Sequence, residues 1–219
     1  MTFKAPDSLS EQIAHHLAER IIRGELKPGE RIQEHKVTEA LSVSRGSVRE
    51  ALLILERRHL IVILPRRGAQ VTALTEHNVR SLCTLMSEMY ILLGNAVAAG
   101  WQTQEQLTPF LEIQARLQSA YQREDIVAFV EDCFNVMRAA YPFADNPYLQ
   151  ETVENLQPAM SRSYYLALDQ RKASMSEYLA LFSQLLDAVV ARDPAKVRKV
   201  LGEYGERSCQ LVLAALASV

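Results

Sequence analysis

Arg45 and Arg49 are one helical turn apart, with Gly46 and Ser47 between them and Ser44 immediately before. Two guanidinium groups at a helix N-terminus, whose free amides already favour anions, suit phosphate oxygens and the acceptor edge of guanine. Pro65-Arg66-Arg67-Gly68 repeats the theme further along: a turn by composition, with two cations at its tip. A second group, Glu131, Asn135 and Arg138, falls at i, i+4 and i+7 of a helical stretch and so shares one face. Such a stripe is either solvated or the polar wall of a small-molecule site.

The elements that must hold the arginines can be read from periodicity. Val48, Ala51, Leu52 and Leu55 form an apolar stripe opposite Arg45, Ser47 and Arg49. Ser44 is a good N-cap for the amide of Ser47, and Val43 with Val48 forms a hydrophobic staple, so the helix should begin at Arg45. Upstream, Ser8 opens a capping box with Glu11, and Ile13, Leu17 and Ile21 recur every four residues until Gly24. Pro28-Gly29 makes a turn, and a short helix over about 34–41 follows, with Val37 and Leu41 inward. Two helices joined by a very short turn, the second basic at its start, outline a helix-turn-helix. Beyond Arg58 the continuous run LIVIL, the turn at 65–68 and a return over 69–72 predict a hairpin, the wing of such a unit.

Almost everything after residue 77 reads as helix. Val79, Leu82, Met86, Met89 and Leu93 share a face, as do Phe129, Val130, Cys133 and Met137. Breaks at 100–103, 123–125, 141–147, 169–174 and 192–194 divide this part into six helices, and Pro158 should kink the one that contains it.

Composition bounds the function. Hydrophobic residues make up 48% and charged residues 23%, which is ordinary for a globular chain. Residues 1–75 hold 12 Lys+Arg against 9 Asp+Glu, whereas the remainder holds 12 against 17, so a basic front half precedes an acidic back half. Apolar runs such as Leu60–Leu64 are too short to cross a bilayer, and the N-terminus lacks the apolar core of a signal peptide, so a cytoplasmic protein is expected. Cys83, Cys133 and Cys209 have no CxxC spacing and read as buried thiols. The 144 residues after position 75 hold no nucleophile elbow and no phosphate-binding glycine loop, and the only histidine among them is His77. That argues against an enzyme.

These residues carry a resemblance. The run Val43-Ser44-Arg45-Gly46-Ser47-Val48-Arg49-Glu50-Ala51-Leu52, then Leu55-Glu56, then Arg67-Gly68 with Val71, resembles the recognition segment and wing of the GntR family of bacterial transcription regulators. Only Gly46 and Ser47 depart from its usual Thr-Pro pair. The resemblance implies that Arg45 and Arg49 read bases or clamp phosphates, that Ser44 and Ser47 bind phosphate, and that Gly68 lets the wing backbone approach the duplex. Arg67 stands beside it, and His35 occupies a position where relatives often carry arginine. The back half resembles the all-helical FCD-type effector domain of the FadR branch in length, helix count and the segment AVVARDPAKVRK. Many such domains hold a divalent metal through an Asp, a His four residues on, and two later His. Here those positions are Glu131, Asn135, Phe182 and Tyr204, so the resemblance implies an effector pocket without the metal. Thr84 stands where the family has an arginine, and Arg138 or Arg162 could face a carboxylate.

The expectation is a mainly α protein. Residues 8–73 form a winged helix-turn-helix of three helices and a β-hairpin; residues 76–216 form an effector-binding and dimerisation domain of about six helices. A cytoplasmic homodimer would bind a double-stranded DNA operator through His35, Ser44, Arg45, Ser47, Arg49, Arg67 and Gly68, with no membrane association. A small-molecule effector, an organic acid, would sit among Glu131, Asn135, Arg138, Phe182 and Tyr204 with neither metal nor cofactor. The alternative is a constitutive DNA-binding dimer whose helical half only dimerises.

Overall fold

The computed structural model describes residues 8–218. Helix α1 (Leu9–Ile22) starts where Ser8 Oγ accepts the Glu11 N–H at 3.2 Å, and its buried side chains Ile13, Leu17 and Ile21 lie on one stripe. Strand β1 (Arg31–Ile32) leads into α2 (Glu34–Leu41) and α3 (Arg45–Arg57). Ser44 Oγ accepts the Ser47 N–H at 3.1 Å, so α3 begins at the residue its cap dictates. Val48, Ala51, Leu52 and Leu55 are buried against α1, with Val37, Leu41 and Val43 packed at the edge of the same core. Fully burying aliphatic side chains of this size stabilises by roughly 1.5–3 kcal/mol each.

Strands β2 (Ile61–Leu64) and β3 (Gly68–Val71) pair antiparallel, Leu64 opposite Gly68. The wing is more than the expected hairpin, because β1 pairs with the other edge of β3, Arg31 opposite Gln70, giving the order β1-β3-β2. Two residues are too few to show a period of two, and β1 is defined by the free edge of β3 rather than by its own pattern. The wing turn is closed by the Arg67 N–H donating to the Leu64 carbonyl at 3.0 Å, with Arg66 at φ +62° and Gly68 at φ +78°.

The helical part comprises α4 (Glu76–Gly100), a 3₁₀ turn (Gln104–Leu107), α5 (Thr108–Gln122), α6 (Ile126–Ala144), α7 (Pro147–Leu166), α8 (Leu168–Ala173), α9 (Met175–Val190) and α10 (Pro194–Leu216). Seven α-helices among the described residues replace the expected six, because the stretch read as a break at 169–174 contains α8. Helix α7 runs through Pro158. By length and composition α4 could cross a membrane, yet Val79, Met86, Met89 and Leu93 are buried inside the protein.

Two compact units result. One comprises the described residues of Met1–Leu74 together with Glu154–Tyr165; the other comprises Thr75–Val153 with the described residues of Leu166–Val219. In the first, Arg162 is buried and its Nη1 donates to the Thr72 carbonyl at 2.8 Å and to Thr72 Oγ1 at 3.0 Å. In the second, α4 and α10 pack at very short range. A Cβ on Gly94 would lie 2.8 Å from Leu201 Cδ1 and 3.0 Å from Val197 Cγ1, and one on Gly205 would lie 2.6 Å from Ser87 Oγ.

Candidate nucleic-acid interface and ligand cavity

In the first unit, the N-terminal ends of α2 and α3 and the wing turn enclose an open cleft of about 480 Å³. Arg31, Arg45, Arg66 and Arg67 converge on it, with His35 and Gly68 also on its wall. Four guanidinium groups around one concave surface, beside the free amides of a capped helix start, form a surface for a polyanion. Arg31 holds the wing in place by donating from Nη2 to the Arg67 carbonyl. Arg45, Arg67, Gly68 and His35 are all exposed, as their expected role requires. Ser44 and Ser47 join through their hydroxyls at 2.9 Å beside Arg45.

Arg49 is not a free cation. Its Nε donates to Glu34 Oε2 at 2.9 Å, while the side chain is 68% exposed. The carboxylate holds the guanidinium at its inner edge, and the two terminal nitrogens keep the fork that matches guanine O6 and N7. Arg31 and Glu34 were absent from the expected set, whereas Arg66 joins Arg67 as the second cation expected at the wing tip. Arg31 could not be found because β1 is invisible in sequence, and Glu34 because an acidic residue in a basic surface reads as solvated. Glu34→Ala is expected to raise non-specific duplex affinity by removing a negative charge, and to narrow the ratio of specific to non-specific binding. Competition titration against random-sequence duplex measures that ratio, and an unchanged ratio would dismiss the positioning role.

In the second unit two small apolar cavities, each about 40 Å³, share Val136, Met137, Phe182, Leu185 and Leu201 as walls. Phe182 and Tyr204 both line the first, along with Phe129, Cys133 and Tyr178. Glu131, Asn135 and Arg138 do not. Glu131 and Arg138 are exposed. Asn135 Nδ2 donates to Asp132 Oδ1 at 2.9 Å, Arg116 Nε donates to the same oxygen at 2.9 Å, and Arg138 Nη1 donates to Asn135 Oδ1 at 2.7 Å. This polar network ties α5 to α6 around a buried Asp132. Arg162 does not line the cavity either; it is engaged by Thr72.

The cation associated with the cavity is Arg171, on α8. Its side chain is 1% exposed and lies 4.8 Å from the ring centroid of Tyr178, whose hydroxyl is 3.1 Å from Ser208 Oγ. Its charge reaches Cys133 and Tyr178, where it favours the ionised forms. The four positions that hold metal in many relatives here present an outward carboxylate, an engaged amide, a phenyl ring and a phenol. That donor set does not fit a first-row divalent ion. Among the described residues no group of three or more His, Cys, Asp and Glu side chains is placed to hold one.

Burial pushes the Cys133 thiol up to about 11, against the opposing pull of Arg171 and of a hydrogen bond from Tyr204. Burial, reinforced by the neighbouring Cys209 thiol, pushes Cys83 up to about 12. An unfolded thiol loses its proton near 9, so the unfolded state gains stability first as pH rises. The contribution of each buried thiol is complete below that value and is lost through about 11 for Cys133 and about 12 for Cys83. Stability should therefore fall above pH 9, by up to about 1.4 kcal/mol per pH unit for each thiol, and the melting temperature with it. Cys133→Ser and Cys83→Ser should each flatten that fall. An alkaline limb identical in both variants would rule the thiols out as its origin.

Comparison with known proteins places both parts of the chain in known families. Residues 9–71 match the family model described as "Bacterial regulatory proteins, gntR family", and residues 86–207 match the FCD domain. The chain is 27% identical to the HTH-type transcriptional regulator McbR of Escherichia coli (strain K12), covering 94% of this chain and 93% of that one. It is 28% identical to the gluconate operon transcriptional repressor of Bacillus subtilis (strain 168), over 82% of this chain and 72% of that one. Among solved structures, that of E. coli McbR/YncC superposes with a TM-score of 0.79 at 23% identity, covering 95% and 99% of the two chains. A transcriptional regulator from Rhodococcus sp. RHA1 gives 0.73 at 22% identity, with the same coverage.

Proposed function

Since the chain belongs to the GntR family of bacterial regulatory proteins and carries an FCD domain of the FadR type, we propose that it binds a short palindromic operator as a cytoplasmic homodimer and that an organic acid, held without a metal, adjusts that binding. Transcription regulation rather than catalysis is the activity of its relatives. The observation that carries the reading is the cleft where Arg31, Arg45, Arg66 and Arg67 converge beside the exposed start of α3. One helix reads only a few base pairs, so two half-sites related by a dyad supply the specificity. Within this reading Arg45 and Arg49 face bases, Ser44, Ser47 and His35 face phosphates, and Arg67 with Gly68 brings the wing to the flanking groove.

The effector proposed is an acid with an apolar body. The cavity wall is almost wholly carbon, with the hydroxyls of Tyr178 and Tyr204 and the Cys133 thiol as its polar atoms, and the buried Arg171 supplies positive charge behind Tyr178. Phe182 and Tyr204 are the expected effector residues that this supports. A second reading, a constitutive binder, is favoured by one observation: cavities of about 40 Å³ are too small for a metabolite unless helices move apart.

Selection from a randomised duplex library, followed by anisotropy titration at increasing salt, tests the first part. Several phosphate contacts per dimer should make the logarithm of affinity fall with a slope of about −0.9 per contact. A flat salt dependence, or no enriched sequence, would sink it. Thermal shift against apolar carboxylic acids, with and without chelator, tests the second. Stabilisation that survives chelation is expected, and no response to any acid would favour the constitutive reading.

A further inference from the structure

We propose that Cys83 on α4 and Cys209 on α10 form a reversible oxidation site that closes to a disulfide. The helix packing carries this. Gly94 meets Val197 and Leu201, and Gly205 meets Ser87, so α4 and α10 run antiparallel in a fixed register. A Cβ on Gly205 would stand 3.9 Å from Ser87 Cα itself, which places the two backbones almost in contact. One turn back from Ser87 is Cys83, and one turn on from Gly205 is Cys209. The antiparallel register therefore sets the two cysteines opposite each other, one turn beyond the tight Gly205–Ser87 contact, which is the placement a disulfide needs. Both thiols line one solvent-open cleft of about 360 Å³, and the Cys209 thiol is near enough to help push that of Cys83 up. Cys133 is not on that cleft; it lines the apolar cavity instead.

Exposure assigns the order of steps. Cys209 is half-buried, whereas Cys83 is 7% exposed with its thiol pushed up to about 12, so Cys209 meets the oxidant first. The oxidant is hydrogen peroxide. Cys209 Sγ attacks one peroxide oxygen, the O–O bond breaks, and water leaves, giving the sulfenic acid. Cys83 Sγ then attacks that sulfur, the S–O bond breaks, and a second water leaves with the remaining thiol proton. Two thiols lose two electrons in total and the peroxide takes them. In a reducing compartment such a bond is transient, which fits a sensor rather than a structural staple. If the cavity holds the effector, as proposed above, the bond also limits how far α10, which contributes Leu201 and Tyr204, can move to enlarge it.

The test uses the full reduced chain treated with equimolar hydrogen peroxide, alkylated and digested with trypsin. Expected are a cross-linked pair of peptides, 81–116 with 208–219, an intact mass lower by two hydrogens, and an alkylated Cys133. The melting temperature should rise by several degrees and return on adding dithiothreitol. Cys209→Ser and Cys83→Ala should each abolish the cross-link, and Cys133→Ser should leave it. Two alkylated thiols at Cys83 and Cys209 after oxidation would overturn the proposal, as would a bond that involves Cys133 or joins two chains. Bond formation is read by mass alone, so it stands or falls independently of the effector. A ligand response equal in the oxidised and reduced protein would overturn the coupling to the cavity.

Discussion

Arg49→Ala should abolish sequence-specific duplex binding while leaving helicity and melting temperature close to those of the parent chain. The side chain is 68% exposed, and its ion pair with Glu34 is a surface pair, worth at most about 1 kcal/mol to folding. The apolar stripe that holds α3 in place, Val48, Ala51, Leu52 and Leu55, is on the other side of the helix and loses nothing. A well-formed bidentate base contact contributes about 1–3 kcal/mol of discrimination, and two half-sites double it. Affinity for a selected operator should drop by roughly thirtyfold at least and as much as about 20,000-fold, with binding to random sequence much less affected. Circular dichroism and anisotropy titration on the same sample provide both readouts. Undiminished preference for the selected sequence would show that the reading face of α3 has been misassigned.

Phe182→Ala is the second large effect. The ring forms part of the wall between the two small cavities, so its removal joins them into one space lined by Met137, Leu185 and Leu201. Deleting a buried phenyl group typically costs about 3–5 kcal/mol, the transfer loss plus the void left behind. The unfolding midpoint should fall accordingly. An apolar space of that size also admits small aromatic probes, so benzene or indole should stabilise the variant more than the parent. A midpoint within a degree of the parent's would mean that Phe182 does not hold the cavity walls together, and the cavity assignment would fail with it.

The front unit was largely legible in the chain because its signals are local and mutually consistent. Ser8 and Ser44 cap where their spacing says, and the stripes of α1 and α3 are the buried ones. What escaped reading depends on distant partners. Strand β1 exists because β3 has an edge to fill, and Arg31 enters the cleft only through that pairing. Helix α8 is six residues of mostly polar composition, and nothing local announces that its arginine is buried. The cavity shows a different kind of miss. Glu131 and Asn135 were located by alignment, yet the residues of α6 that line the cavity are Phe129, Cys133, Val136 and Met137. An offset of two residues turns a helical side chain by about 200°, so the aligned positions face away from the cavity. Phe182 and Tyr204, placed by the same resemblance, do line the cavity, because large aromatic side chains at core positions are drawn inward.

Glu154–Tyr165, encoded far behind the reading head, is nevertheless part of the first compact unit, and its Arg162 satisfies the carbonyl of Thr72 where β3 ends. A chimera that joins this reading head to a foreign sensor at the obvious seam near residue 75 would leave that carbonyl without its donor and split the unit to which Glu154–Tyr165 belongs. Swaps that carry the segment along should yield well-behaved hybrids, and those that cut it away should not.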